Sequence, residues 1–248
     1  MRLEKDGGVA RLLIDRAERR DAFSLAMWPL LPELLAEAAA DPQVRVLVVK
    51  SAAGETFCAG ADIGEMLAHK DDPAWGAENQ QAINRAQFEL TRFPLPVVAM
   101  VEGDCVGGGC GLALACDIRV AMARARFGIT PAKLGLAYPL HDVKLLVDLV
   151  GPGQARRLLF TGVLVGAGEA QAMGLVEILA DDENALVEQI LAASPFSTQA
   201  IKGFVRRVLD GQVADDEATL GIFRSAFAGE DFREGAEAFA EKRKPQFR

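Results

Sequence analysis

Two stretches rich in small residues could each present backbone N–H groups to a ligand. One is Gly107-Gly108-Gly109, which joins the apolar run 96–101 to the small, apolar segment Cys110-Gly111-Leu112-Ala113-Leu114-Ala115-Cys116. Glycine reaches backbone angles that other residues avoid and lets a ligand touch the main chain. The first N–H groups of a helix leaving that turn lack intrahelical partners and sit at the positive end of its dipole. The other stretch is Cys58-Ala59-Gly60-Ala61-Asp62, where small residues precede a helix start at Asp62. Two such corners could hold one oxyanion between them. Spacing alone equally allows two tightly packed turns with no ligand.

Other site chemistries fail on spacing. A dinucleotide fingerprint would need glycine where Leu112 stands, with an acidic residue about 20 positions on. There is no G-K-[ST] phosphate loop, no G-x-S-x-G elbow and no H-E-x-x-H. With only His69 and His141, and no carboxylate cluster, no metal site is expected.

The elements that must position these corners alternate in type. Residues 9–14 read as a strand, and Ser24 is the candidate N-cap of a helix reaching Ala40. Pro29 and Pro32 place that helix's start near Trp28 or kink it. Residues 44–49 read as a strand buried on both faces, and 72–93 as a helix whose apolar side carries Ile83, Ala86, Phe88 and Leu90. Strands at 96–101, 117–122 and 174–179 follow, with helices over 142–150, 154–160 and 168–173. Beyond these lie only helices, at 184–193, 195–209 and in the amphipathic tail 234–248. This order implies an α/β core over residues 1–193 and a helical region over 194–248.

Composition narrows the partners. A formal net charge of -8 argues against nucleic acid. The charged start argues against a signal peptide, and no stretch reaches the roughly 18 apolar residues of a membrane helix. Cys58, Cys105, Cys110 and Cys116 sit among apolar or small residues without C-x-x-C spacing, as reduced, buried thiols do; a cytoplasmic location is expected.

Taken in order, several segments resemble the crotonase superfamily, the enoyl-CoA hydratase/isomerase family, over nearly the whole chain. They are Asp21-Ala22-Phe23-Ser24, the run from Thr56 to Met66, Pro96-Val97-Val98-Ala99 with the glycine stretch through Ile118, Lys133-Leu134-Gly135-Leu136, Gly174-Leu175-Val176 and Glu241-Lys242-Arg243-Lys244-Pro245-Gln246-Phe247. The resemblance implies a spiral of ββα units, with a helical C-terminal region that builds a homotrimer or a dimer of trimers. It also implies an acyl-CoA thioester as substrate, coenzyme A entering as part of that substrate and no separate cofactor. Matched residue by residue, the N–H groups of Ala61 and Gly108 would hold the thioester oxygen. Ala61, Asp62, Ile63 and Gly64 would lie beside the CoA moiety, and Phe223 and Lys242 would reach it from a neighbouring subunit.

The chain departs from the family at the proton-transfer positions. Family hydratases use two glutamates; Gly111 stands at the first position and Pro131, or its neighbour, at the second. The loop Ala137-Tyr138-Pro139-Leu140-His141-Asp142 replaces a usually glycine-rich segment and carries the chain's only tyrosine. Tyr138, His141 and Asp142 are therefore the acid/base candidates, Asp142 equally fitting the first turn of a helix and Tyr138 simple packing. Asp104 and Glu102, flanking Gly103, are further acidic candidates. The expected function is an acyl-CoA-processing enzyme acting through a thioester enolate or oxyanion. Alternatives are hydrolysis or decarboxylation through the same intermediate, or a non-catalytic CoA-thioester-binding protein.

Overall fold

The computed structural model describes residues 1–247. Contacts divide the chain into two units, one of residues 1–93 with 97–183, the other of Pro94–Pro96 with the chain from Asn184 onward. The division falls one helix earlier than the 193/194 boundary read from the sequence.

The first unit opens with β1 (Arg2–Asp6) and β2 (Val9–Ile14), then α1 (Met27–Ala39), β3 (Val46–Ser51), α2 (Ile63–Ala68) and α3 (Pro73–Thr91). It continues through β4 (Val97–Val101), β5 (Asp104–Val106), α4 (Gly108–Leu114), β6 (Ile118–Ala121) and β7 (Arg126–Gly128). It ends with α5 (Leu140–Thr161), β8 (Leu164–Gly166), α6 (Ala167–Ala172) and β9 (Ile178–Leu179). One sheet has the order β1-β2-β3-β4-β6-β9, with β1 antiparallel to β2 and every later pairing parallel. The other has the order β5-β7-β8. β4–β5–α4 and β6–β7–α5 thus repeat one step: a strand into the large sheet, a strand into the small one, then a helix.

The buried strands read as continuous apolar runs because neighbours cover both faces. All five residues of β4 are buried, and so are the first four of β3. Val48 pairs with Val98, and Val98 in turn with Ile118. Arg119, on β6, is 1% exposed, yet its guanidinium donates to the carbonyls of Leu175 (3.0 Å) and Cys116 (2.8 Å) and pairs with Glu177. The N–H groups of Gly174, Leu175 and Val176 donate to the α6 carbonyls of Gln171 and Ala170 and the Leu175 carbonyl accepts from Arg119, so of the strand expected over 174–179 only Ile178–Leu179 pairs in the sheet.

α1 starts at Met27 after Ala26, and Ser24 contributes its carbonyl to the Met27 N–H rather than a side-chain cap. Pro29 lies in the first turn, where an N–H has no intrahelical partner to lose; Pro32 is carried inside the helix. α5 is broken at Gly151 (φ 70°), and Pro152 begins the next helical turn. On α3, Ala86 and Leu90 are buried as expected, but Phe88 faces outward under Arg92, whose guanidinium carbon lies 5.1 Å from the ring centre.

The second unit holds α7 (Asn184–Ala192), α8 (Pro195–Leu209), α9 (Glu217–Ala228) and α10 (Glu230–Glu241). Ser194 and Asp216 cap α8 and α9 with their side chains. In this unit Lys202 Nζ donates to Leu95 O at 2.8 Å, tying α8 to the Pro94–Pro96 segment.

Candidate active site

The two glycine-rich corners press against each other. Gly60 has φ +97°, and a Cβ there would lie 2.9 Å from Val106 O and 3.2 Å from Gly108 N. A Cβ on Gly109 would lie 2.3 Å from Cys58 O, so only glycine lets α4 start so close to the Cys58–Asp62 corner. Backbone pairing holds the join. Val106 N–H donates to Cys58 O (2.9 Å), Gly107 N–H to Gly128 O (2.8 Å) and Phe23 N–H to Gly60 O (2.8 Å). Asp62 N–H donates to Phe23 O (2.9 Å), and Gly111 N–H to Gly107 O (3.2 Å). These bonds skip Ala61 and Gly108, whose N–H groups have no acceptor among the described residues. The two lie close together: Ala61 N is 3.7 Å from where a Cβ on Gly108 would stand.

Both corners open into a cleft of about 140 Å³. Its walls are mostly apolar, with Trp28, Met66, Ile83 and Leu136 among them, and Asp142 is the one carboxylate that lines it. Asp142 sits in the first turn of α5 and is 1% exposed; its Oδ1 lies 3.3 Å from His141 Nδ1. Tyr138 also lines the cleft, its hydroxyl donating to Gly107 O at 3.1 Å. Burial, reinforced by the Asp142 carboxylate, pushes the Tyr138 phenol well above its usual range.

The two groups meet at Gly111. A Cβ on Gly111 would lie 2.8 Å from Asp142 Oδ2, 3.1 Å from Tyr138 OH and 2.2 Å from Gln87 Nε2. The space that a side chain at position 111 would enter is filled by polar groups from α5, the loop before it and α3. The structure thus brings Ala61, Gly108, Tyr138 and Asp142 to one cleft. His141 touches Asp142 from outside the cleft lining.

The other candidates lie elsewhere or do structural work. Asp62 caps α2, accepting from Glu65 N–H at 3.2 Å, and pairs with Arg16 at 2.8 Å; both hold its carboxyl below the usual range. Ile63 lines the cleft, and Gly64 lies in the first turn of α2. Asp104 is engaged by Arg20 (2.5 Å) and Arg126 (2.8 Å), and Glu102 by Lys50 (3.4 Å); neither lines the cleft. Phe223 is an exposed residue of α9, and Lys242 follows α10 in a left-handed conformation. All four cysteines are buried and none forms a disulfide, and burial pushes the Cys58 thiol up to about 12, too high for a reactive thiolate. Among the described residues, no cluster of metal-ligating side chains is present and no helix is long and apolar enough to cross a membrane.

Trp28, Asn79, Gln80 and Thr130 also line the cleft and were not singled out by sequence. Gln87 is a further omission with a readable signal. It stands on the helix face marked by Ile83, Ala86 and Leu90, a polar residue where the 3.6-residue period calls for an apolar one.

Comparison with known proteins agrees with this architecture. Residues 4–248 match the family described as enoyl-CoA hydratase/isomerase. The enoyl-CoA hydratase domain-containing protein 2, mitochondrial, of Bos taurus is 34% identical over 251 residues, covering 97% of this chain and 84% of that protein. Crotonyl-CoA hydratase of Syntrophomonas wolfei is 32% identical over 256 residues, covering 99% and 96%. The crystal structure of an enoyl-CoA hydratase/carnithine racemase from Magnetospirillum magneticum superposes with a TM-score of 0.93 at 30% identity, covering 99% of this chain and 94% of that one. The chain belongs to the enoyl-CoA hydratase/isomerase family, and its α/β architecture is the crotonase fold.

Proposed function

We propose that the cleft binds an acyl-CoA thioester and that Asp142 moves a proton at the carbon beside the thioester carbonyl. The carrying observation is that the cleft holding the unpaired Ala61 and Gly108 N–H groups is lined by a single carboxylate, Asp142. With the carbonyl oxygen between the two N–H groups, negative charge developing on it is stabilised by donors already in place, in a partly dry site. Asp142 takes the α-proton, leaving an enolate. The same carboxyl then returns the proton to the α-carbon or, for an unsaturated chain, to the γ-carbon. Tyr138, neutral at physiological pH, donates a hydrogen bond beside it.

Family hydratases place two carboxylates where Gly111 and Pro131 stand here, so the reading favours single-base proton transfer over addition of water. Ala61 and Ile63 of the stretch 61–64 line the cleft, which supports reading that stretch as the CoA contact; the exposed Phe223 and Lys242 would reach the ligand from a neighbouring subunit of a homotrimer or dimer of trimers. The four buried thiols fit a cytoplasmic setting. The rival reading, a CoA-thioester-binding protein without catalysis, rests on the two missing glutamates.

The test is exchange of α-hydrogens in D₂O over a panel of acyl-CoAs, followed with product analysis. Exchange, slowed in Tyr138→Phe and lowered by about 10²- to 10⁴-fold in Asp142→Asn, supports the enzyme. Binding with neither exchange nor product leaves the binding protein, and hydration of crotonyl-CoA at ordinary hydratase rates overturns the single-base mechanism.

A further inference from the structure

Gln87 lies on α3 with no exposed surface, and neither atom of its carboxamide has a hydrogen-bond partner. Unmade bonds in a fully buried amide are costly, and each such group in a folded protein calls for an explanation. The amide is not lost among apolar side chains. Its Nε2, Asp142 Oδ2 and Tyr138 OH converge on the one point where a Cβ of Gly111 would stand. An ionised carboxylate can only accept, and Nε2 can only donate. The other carboxylate oxygen, Oδ1, already faces His141 Nδ1.

We propose that Gln87 is a positioning residue for the acid/base carboxylate: its amide N–H closes on Asp142 Oδ2 and fixes the carboxylate toward the bound acyl group. This rests on the reading of Asp142 as the base. The absence of a side chain at Gly111 then has a function of its own, because it makes room for an amide from α3. The groups facing Asp142 are Gln87 from α3, the Tyr138 hydroxyl from the preceding loop and His141 from its own helix, with the Cys105 and Cys110 thiols behind Tyr138.

Gln87→Met tests the proposal, since it keeps the length and removes two unsatisfied polar atoms. A packing residue would tolerate that change, and the fold should be as stable or more so. The expected result is an unchanged or raised melting temperature. The kcat for α-hydrogen exchange should fall about ten- to hundredfold, with KM for butanoyl-CoA little changed. Gln87→Glu keeps the shape but sets a second carboxyl against Asp142. The acid limb of the exchange profile should then move up by about one pH unit or more. Wild-type kcat in the first variant, or an unmoved limb in the second, overturns the positioning role. Asp142→Asn separates the two ideas. If it retains exchange, the reading of the base fails and the role of Gln87 with it; if it is inactive while both Gln87 variants behave as wild type, only the role of Gln87 fails.

Discussion

The Asp142 carboxylate stands against the open face of Gly111, with Oδ2 only 2.8 Å from where a Cβ of that glycine would be. Position 111 carries no side chain, and a carboxylate from α5 faces the open place. General acid–base groups contribute about 10²- to 10⁴-fold to a rate. Asp142→Asn should therefore lower α-hydrogen exchange by about that factor while acyl-CoA affinity, measured by calorimetry, stays within severalfold. A variant that exchanges at the wild-type rate would move the base elsewhere.

Gly108 offers a clean way to delete one donor. It is the first residue of α4, a position where proline is favoured because the N–H has no intrahelical partner. The nearest atoms to a Cβ there are Ala61 N and Trp28 Cζ2, each at 3.7 Å, and Gly60 C at 3.8 Å, all ordinary van der Waals contacts, so added carbon fits. Gly108→Pro should fold and lose about 10²- to 10³-fold in kcat, the usual loss for one oxyanion donor. Gly108→Ala keeps the donor and should lose far less. Equal activity in the two variants would remove the Gly108 N–H from the mechanism.

The corners were legible because glycine clusters announce close backbone approach, and the motif order around them identified the fold. Asp62 was readable as a helix start, and it caps α2. What sequence did not give was direction. Tyr138, His141 and Asp142 are neighbours in the chain, yet only Tyr138 and Asp142 line the cleft, because α5 begins between them and turns His141 aside. What Gln87 faces is not legible in the sequence because Gly111, whose open face it fills, lies 24 residues away on another helix. Short strands such as β5 and β7, three residues each, carry too little periodicity to be read without their sheet.

Two glycines of α4 should respond differently to the same methyl group. At Gly109 the obstacle is main chain, Cys58 O at 2.3 Å, which cannot turn away. Gly109→Ala should cost about 1–3 kcal/mol or more, each kcal/mol lowering the melting temperature by about 2–4 °C in a chain of this size. At Gly111 the obstacles are the ends of Gln87, Asp142 and Tyr138, which can swing aside. Gly111→Ala should leave the melting temperature closer to wild type while reducing kcat for exchange. Calorimetry and exchange rates on the pair check this, and a Gly111→Ala variant with full activity would count against an active site at this point.

Away from the cleft, Glu102 makes stability depend on pH. It is buried, its Oε1 lies 3.4 Å from Lys50 Nζ, and its Oε2 has no partner. Lys50 is closer to Glu183, at 3.0 Å, and Arg11 meets that second carboxylate at 3.3 Å. Burial pushes Glu102 above the carboxylate value of 4.5, with Lys50 opposing. Burial acts on Glu183 as well, but its own backbone N–H, Lys50 and Arg11 hold it below. The signs are therefore opposite. The folded state binds the Glu102 proton more tightly than the unfolded chain does, so that stability is fully present below pH 4.5 and lost as pH rises through the folded value. Glu183 contributes stability above the unfolded value, lost as pH falls through its depressed one. Glu102→Gln removes the buried charge and leaves Lys50 its nearer partner. Its melting temperature should exceed wild type at pH 8, and the difference should close as pH falls toward 4.5. Thermal denaturation across that range decides it: a variant less stable than wild type at pH 8 would show that Lys50 needs both carboxylates.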